Sequence, residues 1–155
     1  MFLNAASIAK EVDRLPKGTA PGASGWTNLF IKQLFGAEAR ALLRSLTRPT
    51  NGAAAPASPL TPGLDLLAKL FTSIFTDSLP SESLALLNTA RLVLIPKPGR
   101  PNDMRPIAIQ ESLLRLMLRA VNAHFAPSVG KKLAPLQLAV CTRGGTGCLF
   151  HAGLL

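Results

Sequence analysis

Arg91-Leu92-Val93-Leu94-Ile95, then Pro96-Lys97-Pro98-Gly99-Arg100-Pro101-Asn102-Asp103, then Met104-Arg105-Pro106-Ile107-Ala108-Ile109: here the hydrophobic period of the chain changes. The first run is short, apolar and rich in branched side chains, the pattern of a buried strand. The middle is dense in turn formers. The last run is apolar again. Two such runs around a turn cluster predict an antiparallel β-hairpin with a long, basic tip. Pro106 has no backbone N–H for a ladder and belongs on an edge strand or at a strand end. Pro96, Pro98 and Pro101 each fix φ and stiffen the tip.

On either side the pattern is helical. Leu3, Ile8, Val12 and Leu15 recur at helical spacing before Pro16-Lys17-Gly18 ends the run. A turn-rich loop follows, Ala20-Pro21-Gly22-Ala23-Ser24-Gly25, in which Ser24 or Thr27 is placed to cap the next helix. From Trp26 to about Leu46 the expected buried stripe is Trp26, Phe30, Leu34, Ala37 and Ala41. Arg40, Arg44 and Arg48 form a basic edge of that helix, most simply a solvated face. Residues 48–62 are rich in Pro, Ala, Ser and Gly and read as a flexible surface loop. Thr61-Pro62 gives an N-cap with proline at the first helical position, and Leu64, Leu67, Phe71, Ile74 and Ser78 continue as one stripe supported by Asp65 and Lys69. A short helix is expected at 81–88.

After the hairpin comes the clearest helix, Glu111 to Phe125, with Leu114, Met117, Leu118, Val121 and Phe125 on one face and Arg115, Arg119 and Asn122 on another. The pattern weakens beyond Pro127. A last helix is expected from about 146. The expected architecture is α+β, mostly helical with one antiparallel β-hairpin, in a single unit over 1–155.

Composition narrows the function. The chain has 155 residues and is 48% hydrophobic, enough for a core without general disorder. Lys plus Arg number 17 against 8 Asp plus Glu, a net charge of +9. Such an excess favours a polyanionic partner, although a soluble protein that happens to be basic is the plain alternative. Two cysteines, Cys141 and Cys148, make no disulfide framework, and an intracellular, reducing compartment is the simpler expectation, nucleus or cytoplasm being left open. No stretch approaches the ~18 apolar residues of a membrane helix. The first residues, with Glu11 and Asp13, lack the pattern of a secretory or mitochondrial leader.

The hairpin is also the strongest candidate for chemistry. It gathers Lys97, Arg100 and Arg105 on a stiff projection suited to phosphate, lysine as a point charge and arginine as a bidentate donor. A basic tip alone is as often merely solvated. The order of residues adds to it. Leu94-Ile95-Pro96-Lys97-Pro98-Gly99, then Arg105-Pro106-Ile107-Ala108-Ile109, then a Leu-rich helix, resembles the fingers of reverse transcriptases, most of all those of non-LTR (LINE-like) retrotransposons. Ala20-Pro21-Gly22-Ala23-Ser24-Gly25-Trp26 is similar to that family's upstream Ala-Pro-Gly-x-Asp-Gly loop. Pro135-Leu136-Gln137-Leu138-Ala139-Val140 with Gly144-Gly145 is similar to its Gln-Phe-Gly type segment before the palm. The likeness runs over about 20–151. Ser24 stands where Asp is common and Ala139 where Gly is common.

The resemblance implies a partial reverse transcriptase domain, the fingers and the start of the palm. Lys97 and Arg105 would hold the triphosphate of an incoming dNTP. Arg91, Arg100, Arg115, Arg119 and Gln137 would contact an RNA template or RNA–DNA duplex. The family's RNA-directed DNA synthesis uses Mg²⁺ held by Asp residues downstream of these motifs. Here no Asp or Glu follows Glu111, and Asp103 and Glu111 lie too near the hairpin for that role. The expectation is therefore a segment without catalytic or metal-binding residues of its own, inactive by itself and completed in the parent enzyme by palm and thumb segments. Two alternatives stand beside it: a non-catalytic basic nucleic-acid-binding module, and a helical protein-interaction protein.

Other constellations are weaker. Cys141, Cys148 and His151, with His124, match no common zinc spacing and read as buried cysteines and a helix-facing histidine. Arg143-Gly144-Gly145-Thr146-Gly147 lacks the Lys-Ser/Thr ending of a phosphate-binding loop.

Overall fold

The computed structural model describes residues 3–47 and 60–133. In chain order the elements are α1 (Ala5–Arg14), α2 (Asn28–Thr47), α3 (Pro62–Phe75), α4 (Ser81–Asn88), β1 (Arg91–Lys97), β2 (Arg100–Ile109) and α5 (Ser112–Leu133). Over the described residues the protein is mostly helical with one two-stranded antiparallel sheet, an α+β arrangement.

Helix α1 is the hub. It packs against α2, α3 and α5, and its Ile8, Ala9 and Val12 are fully buried. Around them lie Ile31, Ala39 and Leu42 of α2, Leu64, Leu67, Ala68 and Phe71 of α3, and Leu114, Leu116, Met117 and Ala120 of α5, all in one hydrophobic core. The entry to α1 is fixed by a reciprocal cap. The Ser7 N–H donates to Asn4 Oδ1 (2.9 Å), and the Asn4 N–H donates to Ser7 Oγ (3.1 Å), a capping box with Ser in the place usual for Glu. Buried Glu11 of α1 pairs with Arg14 (3.6 Å) and with Arg119 of α5 (3.1 Å), so α1 is held to α5 by charge as well as by packing.

Helix α2 overturns the expected stripe. Its buried residues are Asn28, Ile31, Gly36, Ala39 and Leu42, whereas Phe30, Leu34, Ala37 and Ala41 are exposed and Trp26 is half-buried. The chosen row lies on the far side of the helix. Apolar side chains occupy both sides of α2, so periodicity alone does not select one. The buried side is the one that faces α1 and carries Ile31, Ala39 and Leu42 into the common core. Thr27 caps the helix: the Phe30 N–H donates to its hydroxyl (3.1 Å).

Thr61 and Pro62 sit at the cap and first turn of α3, as the sequence indicates, but the Thr61 hydroxyl donates to Asp65 Oδ2 (3.2 Å) and makes no side-chain cap to the backbone. The free N–H groups at this end are satisfied from another helix. Glu38 of α2 accepts from Gly63 N (3.3 Å) through Oε1 and from Leu64 N (3.0 Å) through Oε2. A carboxylate there also meets the positive end of the α3 dipole. The α3 stripe Leu64, Leu67 and Phe71 is buried as expected, and Ile74 is half-buried. Asp77, at φ 54°, turns the chain out of α3.

Helix α5 runs past its expected end. Pro127 lies inside it, and the helix continues to Leu133. The proline removes one i→i−4 bond, whose acceptor would be Ala123, and that position is exposed to water. The expected face also needs revision: Leu114 and Met117 are buried, but Leu118 (44%) and Phe125 (41%) are exposed, and Leu116 and Ala120 take their place in the core.

A candidate phosphate-binding hairpin and its anchor

Strands β1 and β2 pair Arg91 with Ile109, Val93 with Ile107, Leu94 with Pro106, Ile95 with Arg105 and Pro96 with Met104. The turn is tighter than the expected tip. Lys97 pairs with Arg100, so only Pro98 and Gly99 lie between the strands. Gly99 has φ +73°, and Pro followed by a left-handed Gly is the sequence of a type II turn. The register jumps between Pro96 and Lys97, which leaves Pro101, Asn102 and Asp103 without cross-strand partners.

Alternation assigns the faces. Arg91, Val93 and Ile95 share one face with Ile109, Ile107 and Arg105, and Lys97 continues that row. Leu92, Leu94 and Pro96 share the other with Ala108, Pro106 and Met104. Lys97 and Arg105 therefore project on the same side, with their Cα atoms separated by roughly one strand spacing and two residues, ~5 Å by ~7 Å. The hairpin has no extended packing against any described helix, and no residue of β1 is buried, where its apolar run predicts a buried strand. Leu92, Leu94, Ile95, Met104 and Ile107 are all exposed.

The cations divide into two groups. Arg91, Arg100 and Arg105 are exposed and join none of the ion pairs among the described residues. Lys97 is ion-paired with Asp103 through Nζ and Oδ2. Arg115 and Arg119, in contrast, are engaged with groups of the helical body. Arg115 Nη2 donates to Ala20 O (2.9 Å) and to Ser112 Oγ (2.9 Å), and Arg119 Nε donates to Glu11 Oε2 (3.1 Å). The structure thus gathers Lys97, Arg100 and Arg105 at the hairpin end, places Arg91 at its base, and puts Arg115 and Arg119 on α5. Gln137 lies outside the described residues, as do Cys141, Cys148, His151 and the Gly144-Gly145 turn.

Sequence reasoning missed the anchor of the hairpin. At the junction of β2 and α5, Glu111 is 5% exposed, and its carboxylate accepts from Ser24 N (2.6 Å) and Ser24 Oγ (2.5 Å). The next residue, Ser112, donates its hydroxyl to Trp26 O (2.6 Å). These bonds dock the 20–26 loop onto the root of the hairpin. Gly22 is required there, since a Cβ would lie 2.7 Å from Glu111 Cα and 2.8 Å from Gln110 O. Ser24 is a donor to a buried carboxylate here; an Asp at that place would repel it. Beside this junction is a cavity of about 390 Å³, lined mainly by Trp26, Leu86, Leu87 and Leu113, with Glu111 and Ser24 at its polar end.

No described helix is long and apolar enough to cross a membrane. Among the described residues, no three His, Cys, Asp or Glu side chains come together as a metal site. Five of the carboxylates are engaged within the fold: Glu11 on Arg14 and Arg119, Glu38 on α3, Asp65 on Thr61, Asp103 on Lys97, Glu111 on Ser24. Compared with protein-family models, curated proteins and solved structures, the chain matches none.

Proposed function

We propose that this chain is the fingers portion of a reverse transcriptase of the non-LTR type, and that its hairpin binds the polyphosphate of a dNTP and the backbone of an RNA template or RNA–DNA duplex. The observation that carries this reading is the position of Lys97, Arg100 and Arg105 at the end of a projecting two-stranded arm. The motif order around that arm is the second support. Lys97 and Arg105 share a face, so one polyphosphate spans both, with lysine as a compact charge and arginine as a fork. An arm without helix packing swings about its root at Gln110 and Glu111 and closes cations over bound phosphate. Arg91 and Arg100 reach the backbone of a longer nucleic acid, and Arg119, 42% exposed, adds a weaker contact from α5. No metal-dependent step is assigned to these residues; nucleotide addition belongs to palm segments of the parent enzyme.

The test is binding by the full chain. Affinity for an RNA–DNA duplex should fall steeply with salt, with a log–log slope near ~0.9 per phosphate neutralised. A dNTP should bind at low salt, and Lys97→Ala with Arg105→Ala should abolish that binding. Duplex binding that survives the double substitution unchanged, with no dNTP binding by the parent chain, would replace this reading with a non-catalytic nucleic-acid-binding module. Salt-insensitive binding to a protein alone would remove both.

A further inference from the structure

Lys97 does not stand open on the arm. Its ammonium is held by Asp103, and both side chains are partly exposed, 36% for Lys97 and 41% for Asp103. The irregular register delivers that partner. Because Pro96 pairs with Met104 and Lys97 with Arg100, the excess residues Pro101, Asn102 and Asp103 carry a carboxylate back to the turn. Lys97 and Arg100 face each other across the strands, and like charges directly opposite repel. Asp103 offsets that repulsion while the arm is empty. A phosphate arriving at Lys97 supplies the same negative charge and makes the carboxylate superfluous.

We propose that Asp103 is an autoinhibitory latch on Lys97, so that anion binding at the arm is coupled to release of the Lys97–Asp103 ion pair. This rests on the reading of the arm as a polyphosphate site and adds its regulation. A ligand meets a site that is competent only in the fraction of molecules whose pair is open, and its apparent affinity falls by that fraction. The factor is the same for every anion that uses Lys97, whatever its charge. Simple repulsion by Asp103 behaves differently: it grows with ligand charge and does not need Lys97. A partly exposed pair is weak, so the latch lowers affinity about two- to fivefold at low salt, and less as salt rises.

The experiment is a phosphorus NMR titration of the full chain with inorganic phosphate, pyrophosphate and tripolyphosphate at low salt. The parent is compared with Asp103→Asn, Asp103→Ala, Lys97→Ala and the double variant Lys97→Ala with Asp103→Asn. Both Asp103 variants should gain about two- to fivefold for each of the three anions. In the Lys97→Ala background, Asp103→Asn should give no gain, a coupling that a double-mutant cycle isolates. Agreement between the Asn and Ala variants separates loss of charge from a rearranged turn. A gain that persists without Lys97, or climbs from phosphate to tripolyphosphate, overturns the latch. Parent-like affinity in both Asp103 variants, with binding weakened but measurable in Lys97→Ala, overturns the latch and leaves the site standing. If neither the parent nor the Asp103 variants bind any of these anions, the site itself falls, and the latch with it.

Discussion

The helical body and the arm are built on opposite terms. In the body, Phe71, Ile8, Ile31, Leu64 and Leu116 are fully enclosed, and four helices share one core. In the arm, branched apolar residues of the same kind stand exposed on both faces, and α4, which precedes it, buries nothing. An isolated two-stranded hairpin is marginal in water. The arm persists because of its stiff Pro-Gly turn and its attachment at Glu111, not because of burial. Packing here separates a part held by an enclosed core from a part held only at its turn and its root.

That contrast can be broken by experiment. The largest effect is expected in the body: Phe71→Ala should cost about 3–5 kcal/mol in chemical denaturation, since it empties a fully enclosed site. Gly22→Ala comes next, at about 1–3 kcal/mol, because the new Cβ collides with backbone at the arm's root and the strain cannot relax through a side chain. Glu111→Gln should cost about 1–3 kcal/mol, because only one of the two Ser24 bonds keeps an acceptor and the amide NH2 must donate to the Ser24 hydroxyl instead. It should also raise amide exchange in the 20–26 loop. Leu92→Ala should change stability by less than about 0.5 kcal/mol, as befits an exposed position. If Leu92→Ala costs as much as Phe71→Ala, the arm is buried in solution and the comparison fails. Hydrogen exchange sharpens it further: amides of β1 and β2 should exchange through local opening well before those of α1.

What the sequence made legible follows from the range of the interactions. The hairpin, α1, α3 and α4 were readable because period, caps and turn formers are local. The face of α2 was not, because both of its sides carry apolar residues and only the position of α1 chooses between them. Lys97, Arg100 and Arg105 lie on one hairpin because a hairpin is set by neighbours in the chain. The roles of Arg115 and Arg119 were hidden, because their acceptors Ala20 and Glu11 lie 95 and 108 positions away. Ser24 and Glu111, 87 positions apart, were hidden for the same reason. Asp103 offered a local clue: an acid among four cations on one short stretch.

The Glu38 carboxylate on the first turn of α3 has a consequence for the chain between those helices. Because α2 itself receives the start of α3, the two helices carry part of their own alignment. Doubling the length of the chain between them should then cost only about 0.6 kcal/mol of closure entropy. New termini opened between 48 and 59, with the old ends joined elsewhere, would leave the α2–α3 junction assembled.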